Sequence, residues 1–588
     1  MSNAIIPNVL SAVVPSRPAP LSTGLCALSR CGLGVRFSGR AARLTALFLL
    51  TLLTLTAQAQ KGATGAHDPS TIIKDGNKYW SFTTGQGITS LYSTDLVKWT
   101  AGPRPVFQNN GYPAWINTAV PGFGGNFWAP ECIFMNGKYY LYYSCSSFGS
   151  KVSAIGLATN VTLDPSSPNY SWVDQGAVIQ TNNSSAVNAI DPAVFKDTNG
   201  DVWFTYGSFF GGIRTTQLDA TTGKIINAGN QFAVVNGNPE AACLTKNGSY
   251  YYMFFNRGAC CNGVNSTYYI MMGRSASPTG PFLDQSGVSI NSGGGTLVLN
   301  VSGRYVGPGH AGILTEGGAN YFSHHYYDGE ANGAPKLGLA KLTWDAGWPV
   351  VTRDWAAPGR YEVGTSAGLV WEATGCTGAS GQPIAQAART GQDCQRWEFT
   401  SLGDGDYKIT SAQGGLAMTV ASCSPSNGAL LQLGNYSFIS CKQFHIDRAS
   451  DGGLVLTSLN GGRVVEVPNG STAAGQQLGL FDYNGGTNQR FALGSNALAT
   501  ADAQKLPGVS IFPVPAERGG FTVDLGGAAN KPATTTVAVF NLQGQLVYRQ
   551  TYGAAQTRLA VETTLAPGLY LVRVQQGAAS ATQKLSVQ

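Results

Sequence analysis

One pattern recurs five times between residue 61 and about residue 350. A polar residue beside Pro or Gly opens an apolar strand, a glycine turn follows, and an aromatic strand returns. The openers are His67-Asp68-Pro69, Ala129-Pro130-Glu131, Ile190-Asp191-Pro192, Asn238-Pro239-Glu240 and Gly307-Pro308-Gly309-His310. The turns are Asp75-Gly76, Asn136-Gly137, Asn199-Gly200, Asn247-Gly248 and Gly317-Gly318, each followed by an aromatic strand such as Tyr79-Trp80 or Tyr139-Tyr140. Asn-Gly and Asp-Gly between apolar runs are strong hairpin signals, because tight hairpin turns need positive φ. Helical periodicity is weak throughout. Repeated antiparallel units of this size predict an all-β fold opening with a five-bladed β-propeller. In such a ring the innermost strands share one axis. Asp68, Glu131, Asp191, Glu240 and His310 are therefore expected to converge on the centre of one face.

Convergence of acids has a chemical meaning. Cleavage of a glycosidic bond needs one carboxylic acid to protonate the leaving oxygen and one carboxylate to activate water or attack carbon. A third carboxylate raises the pKa of the acid by like-charge repulsion. Asp68, Asp191 and Glu240 supply these parts. Asp-Pro and Pro-Glu also form ordinary turns, but four acids at equivalent points of repeated units exceed what turn formation asks of a chain with 31 acids.

The remainder divides the chain further. Its 588 residues fit two to four domains. Residues 1–59 form a leader in which Leu44–Ala57, preceded by Arg36, Arg40 and Arg43, ends in Ala57-Gln58-Ala59, the pattern of a secretory signal peptide. The leader carries five Arg and no acid, so the net charge of +6 falls to 6 − 5 = +1 without it. That balance gives no case for nucleic-acid binding. No later run of apolar residues is long enough for stable membrane insertion, and a monomer is expected. Residues 60–356 are assigned to the propeller. In residues 357–493 markers recur every 47 positions: Trp397, Phe444 and Phe491, with Gln395, Lys442 and Gln489. Three such units predict a β-trefoil. Cys376 and Cys394 lie 18 apart, as do Cys423 and Cys441, and two disulfides within repeats are expected in an oxidising compartment. Residues 494–506 read as a linker, and 507–588 as a small β-sandwich.

Several segments carry a family resemblance. Phe127-Trp128-Ala129-Pro130-Glu131, Asn188-Ala189-Ile190-Asp191-Pro192, Gly207-Ser208-Phe209-Phe210-Gly211-Gly212-Ile213, Pro239-Glu240-Ala241, Cys260-Cys261-Asn262-Gly263 and Gly307-Pro308-Gly309-His310, with His67-Asp68-Pro69-Ser70 before them, resemble glycoside hydrolase family 43 and its arabinan endo-1,5-α-L-arabinosidases. The resemblance implies an inverting enzyme acting on plant cell-wall arabinan or arabino-oligosaccharides. In it Asp68 is the general base, Glu240 the general acid, and Asp191 the residue that orients Glu240 and holds its pKa up. It implies that His310 ligates calcium, with water filling the other positions, and that Trp128, Asn188, Ser208 and Phe209 contact substrate. Glu131 departs from the Asp expected there and is left out of the catalytic set. Cys260 and Cys261 are expected either as buried thiols or as a vicinal disulfide, which similar arabinanases carry. An exo-acting arabinofuranosidase or β-xylosidase on the same fold is the alternative, and a non-catalytic cell-surface carbohydrate-binding protein is the alternative of another class.

Gln-x-aromatic in the second module resembles the ricin-type lectin repeat. Arg389, Tyr436 and Tyr483 occupy its stacking position, which makes Tyr483 the first candidate for a sugar site and Tyr436 the second. Val509-Ser510-Ile511-Phe512-Pro513-Val514-Pro515 and Leu565-Ala566-Pro567-Gly568-Leu569-Tyr570 resemble the C-terminal sorting domain of type IX secretion. That implies export through the periplasm of a Gram-negative bacterium to the cell surface or beyond.

Overall fold

The computed structural model describes residues 60–495 except Asn110, and residues 509–588 except 517–519, 527–533, 542–545, 554–555 and 577–578. The expected signal peptide and nearly all of the expected linker lie outside the described residues. Among the described residues no helix is long and apolar enough to cross a membrane.

Residues 61–352 form five separate sheets of four or five strands, each a propeller blade. Blade one comprises Lys61–Gly62, Ile73–Asp75, Lys78–Thr83, Thr89–Ser93 and Lys98–Ala101, and blade two Gly85–Gln86, Asn126–Met135, Lys138–Ser146, Ser153–Asn160 and Val173–Thr181. Blade three runs Ala193–Lys196, Val202–Tyr206, Ile213–Leu218 and Phe232–Val235. Blade four runs Glu240–Asn247, Tyr250–Arg257, Tyr269–Ser275 and Thr296–Leu299. Blade five runs Tyr305–Glu316, Ala319–Asp328, Ala334–Asp345 and Trp348–Thr352. All pairs within these three blades are antiparallel. Asn136-Gly137 and Gly317-Gly318 are two-residue hairpin loops with both φ values positive, as the sequence predicts. At Asp75-Gly76 and Asn247-Gly248 the polar residue instead ends the strand, and the glycine takes the first loop position at φ 59° in both.

The ring closes at its N-terminal end. Lys61–Gly62 pairs in parallel with Lys98–Trp99 on the outer edge of blade one. The Leu337 N–H then donates to the Thr64 carbonyl at 2.8 Å, and the Ala66 N–H to the Pro335 carbonyl at 3.3 Å. Blade five is thereby stitched to the segment that leads into Asp68.

The second module shows its repeat directly. Short 3₁₀ turns at Thr374–Cys376, Ala421–Cys423 and Pro468–Gly470 recur with a second set at Asp393–Gln395, Ser440–Lys442 and Thr487–Gln489. Both expected disulfides, Cys376–Cys394 and Cys423–Cys441, are formed. Trp397, Phe444 and Phe491 lie in one core. The glutamines before them are structural: buried Gln395 and Gln489 accept the Thr390 and Asn484 N–H groups at 2.7 and 2.9 Å. The C-terminal part forms a three-stranded and a four-stranded sheet over a core of its own.

Propeller and trefoil share a hydrophobic core in which Ile72, Leu96, Trp99, Tyr321 and Leu337 meet Trp371, Phe399, Ile446 and Leu454. A second link between the two modules is Asp95, buried in blade one. One carboxylate oxygen accepts the Val97 and Lys98 N–H groups, both at 2.9 Å. The other accepts the Tyr483 hydroxyl at 2.6 Å and Arg490 at 3.3 Å. Tyr321 in turn donates to the Ala449 carbonyl at 3.0 Å. A hydrogen bond to a charged partner contributes about 1.5–3 kcal/mol. Tyr483→Phe, which keeps the ring and removes only the hydroxyl, should therefore lower the stability of the propeller–trefoil unit by about that amount. Denaturant unfolding measures this, and a wild-type midpoint would contradict it.

Candidate active site

A backbone feature marks the centre of each blade. Asp68, Ala129, Asp191, Ala241 and His310 have φ values of 44°, 41°, 54°, 50° and 59°. These are left-handed conformations at non-glycine residues, each costing about 1–2 kcal/mol. Strain of this kind persists where surrounding structure enforces it, commonly at functional sites. Bulges accompany it where Trp128–Glu131, Glu240–Cys243 and Gly309–Gly312 leave strict register. The five positions define the equivalence of the blades and correct the expectation for two acids. Ala129, not Glu131, is the counterpart of Asp68. Glu240 stands one residue before its blade's left-handed position at Ala241. Glu131 is buried and does not join the central acids. It accepts the Thr71 N–H at 3.0 Å, tying blade two to blade one, and burial pushes its pKa up to about 7.

Asp68 sits among three of the chain's five histidines. One carboxylate oxygen lies 2.8 Å from His67 Nδ1 and accepts the Thr84 hydroxyl at 2.8 Å. The other lies 3.7 Å from His310 Nδ1 and 3.5 Å from His325 Nδ1. Burial opposes ionisation here. The charge and hydrogen bond of His67 outweigh it, with smaller contributions from His310 and His325, and hold the carboxyl well below its usual range. Thr84 also accepts the Ala129 N–H at 2.9 Å, joining blade two to this carboxylate.

Asp191 and Glu240 behave oppositely. Burial first, then the nearby charge of Asp68, pushes Asp191 up to about 7 against hydrogen bonds from Ser208 and the Ala241 N–H, the latter at 3.1 Å. Burial first, then Asp191, pushes Glu240 up to about 7, and buried Tyr268 hydrogen-bonds it. Three acids from three blades are thus close enough to perturb one another electrostatically, one ionised and two inclined to keep protons. Acid–base catalysis uses such a division.

The other predicted residues are placed differently. Ser208 hydrogen-bonds Asp191. Phe209 is 44% exposed, and its N–H donates to the Pro239 carbonyl beside Glu240 at 2.9 Å. Trp128 precedes Ala129 and meets the exposed ring of Phe148 edge-on at 6.5 Å. Asn188 is buried, and its side-chain oxygen accepts the Ser153 hydroxyl at 2.6 Å. His67, His325, Tyr268 and Tyr327 were not singled out by sequence reasoning. For His67 a signal existed, since it adjoins Asp68. The others lie along strands among many aromatics.

Among the described residues three groups bring ligand atoms within 4.8 Å of one another: His67/Asp68/His325, His67/Cys260/Cys261 and Glu372/Cys376/Cys394. All four cysteines are tied up in disulfides, and Cys260–Cys261 is a vicinal one. His310 belongs to none of these groups. Its backbone N–H donates to Asn256 at 3.0 Å, and its buried Nδ1 has no hydrogen-bond partner. A single orphaned imidazole nitrogen beside a carboxylate fits an ion whose other ligands are water.

In the trefoil, Tyr436 is half-buried, within 3.2 Å of Gln443 and beneath Lys408. Tyr483, expected as the first sugar-stacking candidate, is corrected by the structure: it is 9% exposed, packs with Val97, Val455 and Val464, and spends its hydroxyl on Asp95. The propeller covers it, so its ring has no open face for a sugar.

Residues 63–349 match the family model described as glycosyl hydrolases family 43. Residues 345–434 match the ricin-type beta-trefoil lectin domain-like family, and 510–588 the secretion system C-terminal sorting domain, which marks the chain for export. The chain is similar to the extracellular endo-alpha-(1->5)-L-arabinanase 1 of Bacillus subtilis (strain 168), 40% identical over 312 residues that cover 51% of this chain and 93% of that protein. It is also similar to the extracellular exo-alpha-(1->5)-L-arabinofuranosidase ArbA of Cellvibrio japonicus (strain Ueda107), 36% identical over 322 residues, 52% of this chain and 92% of that protein. Among solved structures, the family 43 endo-arabinanase from Bacillus licheniformis is 39% identical, with 50% of this chain and 99% of that chain covered, at a TM-score of 0.46. With a relative at 40% identity matched over nearly its whole length, and a central triad of acids in the propeller, this chain belongs to glycosyl hydrolases family 43.

Proposed function

We propose that this glycosidase hydrolyses α-1,5-linked L-arabinofuranosyl chains of arabinan with inversion at the anomeric carbon, cutting within the chain. One observation carries the reading: Asp68 is held ionised by His67, while Glu240, near enough to feel the charge of Asp68, is pushed up to about 7. In this reading the Glu240 carboxylic acid gives its proton to the glycosidic oxygen as the C1–O bond breaks. Asp68 takes a proton from water as that water's oxygen bonds C1 from the opposite side. Burial keeps Glu240 protonated, with the negative charges of Asp191 and Asp68 adding to it, and Asp191, through the Ala241 N–H it accepts, fixes the backbone next to Glu240. His310 would hold calcium through a ring nitrogen in a shell completed by water, and the ion would supply positive charge beside Asp68. Chelation should then slow hydrolysis and added calcium restore it.

Similarity to a protein named an endo-arabinanase favours internal cleavage, and similarity to ArbA favours the exo-acting alternative. Product sizing from linear 1,5-arabinan separates them: mixed oligosaccharides early in digestion fit the proposal, and monomer alone contradicts the endo mode. Proton NMR of the first product should show the β-anomer. Export by type IX secretion in a Gram-negative host, and carbohydrate binding through the lobe that carries Tyr436, complete the proposal.

The acid must be protonated to work, so kcat/KM should fall as pH rises through about 7, the value to which Glu240 is raised. The Asp68 carboxylate stays ionised across that range. Glu240→Gln should cost at least about 10²-fold on arabinan and far less on an aryl arabinoside whose leaving group needs no proton. Asp191→Asn removes a negative charge that adds to burial in raising Glu240, so the falling limb should move to lower pH. An unmoved limb would sink the role given to Asp191.

A further inference from the structure

The loop between strands Tyr250–Arg257 and Tyr269–Ser275 of blade four places the Cys260–Cys261 disulfide against the histidine that holds Asp68. Cys261 has a φ of 62°, and its N–H donates to the Tyr327 hydroxyl oxygen at 2.8 Å. Tyr327, buried on blade five, has that same oxygen 2.8 Å from His67 Nε2. His67 Nδ1 is in turn 2.8 Å from Asp68. The two sulfurs lie 3.8 and 3.7 Å from His67 Nε2. A chain of contacts thus runs from the disulfide loop of blade four through blade five to the acid of blade one.

Tyr327 accepts the Cys261 N–H on its hydroxyl oxygen, and the same oxygen accepts the Nε2–H of His67, whose charge holds Asp68 ionised and whose Nδ1–H donates to Asp68. The arrangement requires the Cys261 N–H to stay where it is, on a residue whose left-handed backbone is unfavourable for a side chain with Cβ. A covalent bond between the two adjacent side chains restricts the peptide between them and supplies that constraint.

We propose that the Cys260–Cys261 disulfide and Tyr327 are positioning residues for Asp68, so that hydrolysis requires this bond in its oxidised form. The proposal rests on Asp68 acting as the base. Neither cysteine nor Tyr327 touches a reacting atom in it. Their effect runs through the orientation of His67 and hence of the carboxylate, and should appear in kcat rather than in KM.

The test uses the full chain with and without tris(2-carboxyethyl)phosphine. The phosphine becomes its oxide by taking oxygen from water, and the two hydrogens end on the two thiols. The trefoil disulfides also respond to this reagent, so Cys260→Ser/Cys261→Ser is the comparator. Reduction should lower the wild-type kcat on arabinan about 10-fold or more at nearly constant KM, since small misplacement of a reacting group is costly, and reoxidation should restore it. The double variant should show the low kcat without reagent and no further response to it. Tyr327→Phe, which retains the disulfide and the aromatic ring, should lower kcat likewise and carries the test if the double variant does not fold. Wild-type kcat in Tyr327→Phe and in a folded double variant would overturn the proposal, as would a change confined to KM, which would mark the disulfide as a sugar contact. Asp68→Asn distinguishes the two levels. If it still hydrolyses arabinan, the base assignment itself fails. If it is inactive beside a fully active double variant, only the positioning role fails.

Discussion

Closure of the ring is the constraint on which the site depends. A propeller brings its inner strands to one axis only if the last blade is joined to the first. Here residues 61–66 do this by pairing with the edge of blade one and bonding to blade five at Thr64 and Ala66. Asp68 follows two residues later, so the same segment that closes the ring delivers the acid. His325 and Tyr327 come from the blade on the far side of that seam. His310 and His325, the partners of Asp68 from blade five, therefore reach it only when the seam is shut, while His67 and Thr84 reach it from its own side.

The cluster of acids is an electrostatic compromise. Placing three carboxyl groups near one another in a buried space would push all of them toward the neutral form. The imidazoles gathered around Asp68 break that symmetry. With Asp68 held ionised, its charge adds to the burial that raises Asp191 and Glu240. The different charge states of these chemically similar acids thus follow from which of them the histidines face.

The trefoil is not tethered loosely to the propeller. Asp95 is satisfied on both sides of the boundary, by the backbone of its own loop and by Tyr483 and Arg490 from the third lobe. A residue type that lectin repeats use for stacking serves here as a buried hydrogen-bond donor. The Tyr483 ring is thereby left without an open face, whereas Tyr436 in the second repeat is half-exposed.

The all-β architecture, the number of blades, the 47-residue period of the trefoil, the two disulfides within its repeats and the three acids were all legible in the sequence. Each rests on local rules: a glycine turn, an apolar strand, a repeat spacing, a pair of cysteines at matched offsets. Other features were decided by tertiary structure. Glu131 looked equivalent to Asp68 by its neighbours Ala129 and Pro130, but the left-handed position in that blade fell on Ala129 and turned Glu131 toward Thr71. His67, His325 and Tyr327 are separated by up to 260 positions, and no local pattern announces that they meet. Tyr483 kept its lectin-like spacing yet was claimed by a neighbouring domain. Sequence periodicity determines which strands form and how often they repeat. Which way a side chain points, and what covers it, depends on backbone twist and on surfaces contributed by distant segments, and only the closed ring with its packed trefoil specifies those.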